Sequence, residues 1–342
     1  MTQVAAAVGA ALSAGGVDHV FGVVGSGNFH VTNAMIAAGS TFVAARHEGG
    51  AATMADAYAR MSGTVAAVSV HQGCGLTNAM TGIAEAAKSR TSMVVLAAEA
   101  TQPRSNFYVD QDALAVSVGA VPMRITSAAT AVAEAEAAAS LARDERRTVV
   151  LNLPLQLQAE PAPGIPADRA ESLGRPARAA TGGDLDLLVE SLRAAHRPVF
   201  VAGRGSRGPG CRAALEVLAD SCGALLATSA VAKGLFHGSP WSVDVSGGFS
   251  SPTAAALIRD ADLIVGWGCA LNMWTMRHGR LIGDNATVLQ VDDEPASIGR
   301  HRAGALGVVG DVRETAAAAL SRLTAGSGRP PESASGYRGE EV

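Results

Sequence analysis

Cysteine is scarce and scattered. The four residues Cys74, Cys211, Cys222 and Cys269 form no CxxC pair and no zinc-ligand spacing, which argues against a disulfide framework or a structural zinc site. They read as reduced thiols of a cytoplasmic protein. Positive charge is not in excess: 27 Lys and Arg stand against 31 Asp and Glu, a formal net charge of −4. The electrostatic footprint of a nucleic-acid-binding protein is therefore missing. No apolar run is long enough to span a membrane, and the start, MTQVAAAVGAALSAGGV, lacks the basic segment of a signal peptide. It reads instead as a helix ending at Gly15-Gly16. No HExxH, GxSxG, P-loop or kinase motif set occurs. Aromatic residues amount to only 4%.

What is present is a long, apolar chain: 342 residues, 48% hydrophobic and 17% charged. That composition excludes wholesale disorder, and the length predicts two domains at about 150 residues each. Alanine and glycine dominate, which suits tightly packed helix–sheet layers. Short β-branched runs at 19–24, 41–44, 64–70, 92–97 and 148–153 alternate with helical stretches at 2–14, 29–38, 48–62, 77–89, 112–118 and 129–144. A proline-rich stretch follows, Pro161-Ala162-Pro163-Gly164-Ile165-Pro166, and reads as a linker over 161–183. The alternation then resumes, with strands expected at 198–201, 224–228, 263–266 and 287–291. Helices are expected at 185–195, 211–222, 251–259 and 312–323. The fold class is thus α/β, two doubly wound parallel-sheet domains over 1–160 and 184–323. The tail, 324–342, has no apolar period and is expected to be mobile.

Five stretches hold candidate chemistry. Arg46-His47-Glu48-Gly49-Gly50 places Glu48 where a strand gives way to a helix, the edge at which open α/β sheets bind ligands. Taken alone, it equally fits an ordinary helix-start carboxylate. Val24-Gly25-Ser26-Gly27-Asn28 and His71-Gln72-Gly73-Cys74-Gly75 are Gly-bearing strand ends, each compatible with a ligand loop or a tight turn. Gly203-Arg204-Gly205-Ser206-Arg207-Gly208 is a formal GxGxxG, but the next strand ends without the carboxylate an NAD site requires. Asp292-Asp293-Glu294-Pro295 reads as a helix cap and turn unless a nucleotide is bound.

Taken jointly, these stretches resemble the thiamine-diphosphate (ThDP) enzymes of the acetolactate synthase, pyruvate oxidase and benzoylformate decarboxylase superfamily. The resemblance runs from Val4 to about Leu323. It rests on Gly16-Val17-Asp18-His19-Val20-Phe21-Gly22-Val23, on Arg46-His47-Glu48 with the following Asp56-Ala57-Tyr58-Ala59-Arg60, on Gly73-Cys74-Gly75-Leu76-Thr77-Asn78 with Thr81-Gly82-Ile83, and on Val309-Gly310-Asp311. It implies a pyrimidine-binding domain followed by a Rossmann-like central domain. The glutamate aligned with Glu48 hydrogen-bonds the cofactor's aminopyrimidine and promotes proton loss from the thiazolium, a task suited to a desolvated carboxylate. The resemblance also places Val24, Gly25, Cys74 and Asn78 against the cofactor. It turns Ser26, His71 and Gln72 toward substrate and gives His71 and Gln111 catalytic roles.

The family holds the diphosphate through Mg2+ on a Gly-Asp-Gly motif in a third domain, and no such triplet occurs here. The expectation is therefore a split enzyme or a fragment. In a split enzyme, Mg2+ and the diphosphate lie on a partner subunit, and a homodimer core assembles into a heterotetramer. The substrate expected is a small 2-oxo acid, decarboxylated or ligated to a second carbonyl. FAD, which some relatives bind in the central domain, is a further possibility. The alternatives are a flavin- or nicotinamide-binding oxidoreductase and a non-catalytic regulatory homologue.

Overall fold

A computed structural model describes residues 2–162, 176–325 and 337. The chain divides into two compact units, Met1–Arg175 and Pro176–Val342. Most of the expected linker and tail falls outside the described residues. Tyr337 is an exception: it is buried, and its hydroxyl donates to the Leu257 carbonyl at 2.5 Å.

The first unit runs β1 (Thr2–Gln3), α1 (Val4–Ala14), β2 (His19–Gly22), α2 (Phe29–Ala37), β3 (Thr41–Ala44), α3 (Glu48–Ser62), β4 (Ala66–Val70), α4 (Cys74–Lys88), β5 (Met93–Glu99), α5 (Gln111–Ser117), β6 (Val121–Arg124), α6 (Ala131–Asp144), β7 (Thr148–Pro154) and β8 (Pro161–Ala162). Six strands form a parallel sheet in the order β3-β2-β4-β5-β7-β6, and β1 pairs antiparallel with β8. Strands β4, β5 and β7 are buried along their whole length, as expected of strands covered on both faces. Alternate residues part to opposite sides. Val20, Ala67, Val94 and Leu151 join Leu12, Met35 and Ala138 of α1, α2 and α6. Phe21, Val68, Val95 and Val150 join Ala55, Ile83 and Ala115 of α3, α4 and α5.

The second unit runs α7 (Gly182–Ala194), β9 (Pro198–Ala202), α8 (Cys211–Cys222), β10 (Leu225–Thr228), β11 (Ser242–Val245), α9 (Pro252–Arg259), β12 (Leu263–Trp267), β13 (Thr287–Asp292), β14 (Leu306–Val309) and α10 (Val312–Ala325). Its six parallel strands lie in the order β11-β10-β9-β12-β13-β14. Here too the strands feed two cores. Phe200, Val265 and Trp267 pack with α7, α8 and α10, while Val199, Ala227 and Ile264 pack with α9.

The α/β doubly wound reading therefore holds in both units. Strands β6, β11 and β14 were not expected, and all three lie at sheet edges. In β6, Pro122 hides the signal, because proline is tolerated at an edge where its missing N–H leaves no ladder bond broken.

In the first unit the chain leaves β2 for β3 on one side and returns to β4 on the other. The connections diverge there, and a crevice opens beyond the carboxyl ends of β2 and β4. Such switch points are where open α/β sheets take ligands.

Candidate functional site

The first wall of the crevice is the turn over residues 23–28. Asn28 organises it from a position only 1% exposed. Its Oδ1 accepts the Gly25 N–H at 2.8 Å, and its Nδ2 donates to the Val23 carbonyl and to Ser69 Oγ on β4, at 3.1 and 2.9 Å. Thr32 Oγ1 lies 2.7 Å from the same Ser69 hydroxyl. Sequence reasoning noted Asn28 only as part of a turn and missed Ser69 and Thr32. The sole available signal was a polar residue near the end of a buried strand.

The second wall is the three-residue turn 71–73. Helix α4 starts at Cys74, three residues earlier than expected at Thr77. Gly73 makes the abrupt entry: its φ of 64° is in the left-handed region, and a Cβ there would stand 2.4 Å from the Phe107 carbonyl oxygen. His71 faces the first wall, with Nε2 3.3 Å from Ser26 Oγ and Nδ1 3.1 Å from the Gln72 carbonyl. A carbonyl only accepts, so Nδ1 carries the hydrogen. In the neutral ring Nε2 is then the acceptor, and Ser26 donates to it. Gln72 is 4% exposed, and its Oε1 has no partner among the described residues. That oxygen lies over Gly27, where a Cβ would be 1.8 Å away.

The third wall is the start of α3. His47 caps the helix, its Nδ1 accepting the Gly49 N–H at 3.0 Å. Glu48, the first helical residue, is half-buried rather than desolvated in this chain. Its Oε2 accepts from Asn78 Nδ2 at 3.0 Å, which leaves Oε1 without a partner among the described residues. Gly75 lies between the walls. A Cβ there would be 3.1 Å from His71 Cβ and 3.5 Å from Glu48 Oε1, so glycine keeps the space between these two side chains open. Val24 and Cys74 are exposed.

Gln111 belongs to a different network. It is 1% exposed, and its Nε2 donates to Asn152 Oδ1 at 2.7 Å, while its Oε1 has no partner among the described residues. Asn152 Nδ2 donates to Asp112 Oδ1 at 2.6 Å, and Arg124 bridges Asp112 and the buried Glu99. The two hydrogen bonds to Glu99 hold the Arg124 guanidinium charged well beyond its ordinary range. The network fastens the start of α5 to β5, β6 and β7.

In the second unit, the turn after β9 does not present an anion cradle. The Gly203 and Gly205 N–H groups donate to the Trp267 and Gly268 carbonyls at 2.9 and 3.0 Å, and the Ser206 N–H bonds back to Gly203. Ser206 Oγ also donates to Trp267, at 2.7 Å. The glycines permit contact with the turn after β12: a Cβ at Gly203 would meet Gly268 O at 2.3 Å. The acidic run is local capping as well, with Asp292 Oδ1 accepting from Glu294 N and Glu294 Oε1 accepting from Ala296 N. No cluster of three or more metal-ligating side chains occurs among the described residues. No helix among them is long and apolar enough to cross a membrane.

A helix-start carboxylate, a histidine facing it across glycine-lined space and a switch point make this crevice a candidate small-molecule site of the kind α/β cofactor enzymes use. Comparison with known proteins narrows the class. Residues 2–117 match the thiamine pyrophosphate enzyme N-terminal TPP binding domain, and residues 185–319 match the thiamine pyrophosphate enzyme central domain. The chain belongs to the thiamine-diphosphate-dependent enzyme family and carries its N-terminal and central domains. It is 29% identical over 326 residues to the probable 2-ketoarginine decarboxylase of Pseudomonas aeruginosa, covering 90% of this chain and 56% of that protein. It is 27% identical to the acetolactate synthase isozyme 3 large subunit of Escherichia coli, covering 92% and 57%. It is also 27% identical to the sulfoacetaldehyde acetyltransferase of Roseovarius nubinhibens, covering 90% and 52%. The chain thus spans about half the length of the curated relatives it matches.

Proposed function

We propose that the chain is the pyrimidine-binding and central part of a ThDP-dependent enzyme acting on a small 2-oxo acid by decarboxylation or carboligation. The observation that carries this reading is the Glu48 carboxylate, fixed through Oε2 by Asn78 with Oε1 free beside Gly75. The residues present fit an aminopyrimidine: a carboxylate oxygen without a partner among the described residues to accept or share a proton, and Gly75, where a Cβ would enter the gap between His71 and Glu48. When bound, ThDP supplies a carbon nucleophile for the substrate carbonyl and a sink for the electrons released with CO2.

The chain's own groups divide the remaining work. Glu48 Oε1 would hold the ring-nitrogen proton, while Asn78 keeps the carboxylate from turning away. Val24, Gly25 and Cys74 would line the ring's surroundings. The lone pair of His71 Nε2 would take or return a substrate proton, with Ser26 and Gln72 orienting the acid. Gln111, buried and bonded to Asn152, would hold the start of α5 in place rather than touch the reacting atoms. Mg2+ and the diphosphate would be held by a Gly-Asp-Gly-bearing partner subunit that also covers the half-exposed Glu48, on a homodimer core within a cytoplasmic heterotetramer. The sequence contains no Gly-Asp-Gly, and it spans a little over half of the curated relatives it matches; a partner subunit or a longer polypeptide would each supply the motif.

The test is co-purification from the native host with mass spectrometry, followed by assay of the complex on 2-oxo acids with ThDP and Mg2+. A stoichiometric Gly-Asp-Gly partner is expected, and Glu48→Gln should cut turnover by at least about 100-fold, the lower range for a proton-transferring group. Undiminished activity in Glu48→Gln would overturn the reading. A longer form of the same polypeptide would overturn the partner subunit alone.

A further inference from the structure

The His71 imidazole is confined on four sides. Nδ1–H donates to the Gln72 carbonyl, and Nε2 faces the Ser26 hydroxyl. Below the ring there is room only for glycine, since a Cβ at Gly25 would lie 2.2 Å from Cδ2. The fourth side is Phe107, whose ring centroid is 5.2 Å away at an interplanar angle of 67°. Phe107 lies in the irregular segment between β5 and α5, 42% exposed, so its ring does not serve the core.

Phe107 is itself held in place. Its carbonyl oxygen packs against Gly73, and its N–H donates to Ser105 Oγ at 3.2 Å. The segment's far end is fastened by the Asp110 cap on Ala113 and by the Gln111–Asn152 bond.

We propose that Phe107 is a positioning residue for His71: its ring, set across the imidazole, keeps the imidazole from rotating away from the Gln72 carbonyl, and so keeps the proton on Nδ1 and the lone pair on Nε2. An unconstrained imidazole prefers the opposite tautomer, so this arrangement has to be imposed by the surroundings. The use of that lone pair in substrate proton transfer rests on the function proposed above. The tautomer itself does not, and it can be read in the chain without cofactor or partner.

The experiment is long-range 1H–15N correlation of the histidine rings in the uniformly labelled chain, at a pH where the rings are neutral. His71 is assigned from its loss in His71→Gln. His47 is the internal control: its Nδ1 accepts from the Gly49 N–H, so it must be the Nε2–H tautomer. Wild-type His71 is expected to be predominantly Nδ1–H. Phe107→Leu should shift it toward a mixed population while His47 stays unchanged. Phe107→Tyr, which keeps the ring, should retain the wild-type pattern. Gly73→Ala should reproduce the Leu result by displacing the Phe107 carbonyl, and it carries the test if the Leu variant fails to fold. A predominantly Nε2–H His71 in the wild type would overturn the proposal. So would an unaltered tautomer in both Phe107→Leu and Gly73→Ala.

Discussion

Gly82 lies where α3 and α4 touch, and replacing it sets two effects of opposite sign against each other. A Cβ at Gly82 would stand 2.5 Å from Ala52 Cβ and 3.1 and 3.2 Å from the backbone at Ala52 and Thr53. Carbon atoms prefer a separation of about 3.5–4.0 Å, so the helices must part by roughly 1 Å or more. Overpacking of this kind costs about 1–3 kcal/mol. Against it, alanine is favoured over glycine inside a helix by about 1 kcal/mol. The clash involves backbone that cannot swing aside, so it wins. Gly82→Ala should lose about 1 kcal/mol, lowering the melting temperature of the first unit by about 2–4 °C. Gly50, in the first turn of α3, has nothing within 4 Å of its would-be Cβ. There the same substitution should stabilise by up to about 1 kcal/mol. Circular dichroism melts give the shifts, and hydrogen exchange on peptides 48–62 and 74–88 localises them. All three tryptophans, Trp241, Trp267 and Trp274, lie in the second unit, so their fluorescence follows that unit separately. A Gly82→Ala protein stabilised as much as Gly50→Ala would refute the close-packing argument.

The buried Trp267 indole N–H has no partner among the described residues. Trp267→Phe removes that orphan donor while keeping an aromatic ring in edge contact with Phe200, so urea unfolding should change by less than about 1 kcal/mol, against about 3–5 for Trp267→Ala. Burial pushes the Cys269 thiol from its ordinary 9.0 up to about 11. Between those values the unfolded chain has lost the proton and the folded chain still holds it, so stability falls as pH rises. The slope is at most about 1.4 kcal/mol per unit, and Cys269→Ala should flatten it; identical alkaline profiles for the two proteins would exclude this thiol as the cause. Only Cys74 of the four thiols is exposed, so a native thiol titration should show one fast-reacting group, which Cys74→Ser removes.

How far the sequence reveals this protein depends on whether a residue's partner is near it in the chain. Helix α3 is legible at both ends because its signals are local: a carboxylate at the start, and at the end Gly63 in the left-handed conformation with φ of 74°. Strands β4, β5 and β7 are legible as predominantly apolar runs because both of their faces are covered. Helix α4 begins earlier than its sequence suggests, because Gly73-Cys74-Gly75 has loop composition. The reason for that composition lies elsewhere, in the Phe107 carbonyl and in the gap between His71 and Glu48. Glu48, Asn78 and His71 are found through motif resemblance. The bonds that place them join residues 30 positions apart for Glu48 and Asn78, 45 for Ser26 and His71, and 41 for Asn28 and Ser69. These separations become contacts only because β4 pairs with β2, a crossover that no local pattern specifies. Phe107 is the clearest case. It carries no motif and lies in an irregular segment, and its relation to His71 follows entirely from where β5 delivers the chain. The residue types of a site on a doubly wound sheet are written locally, whereas their orientation is set by strand order.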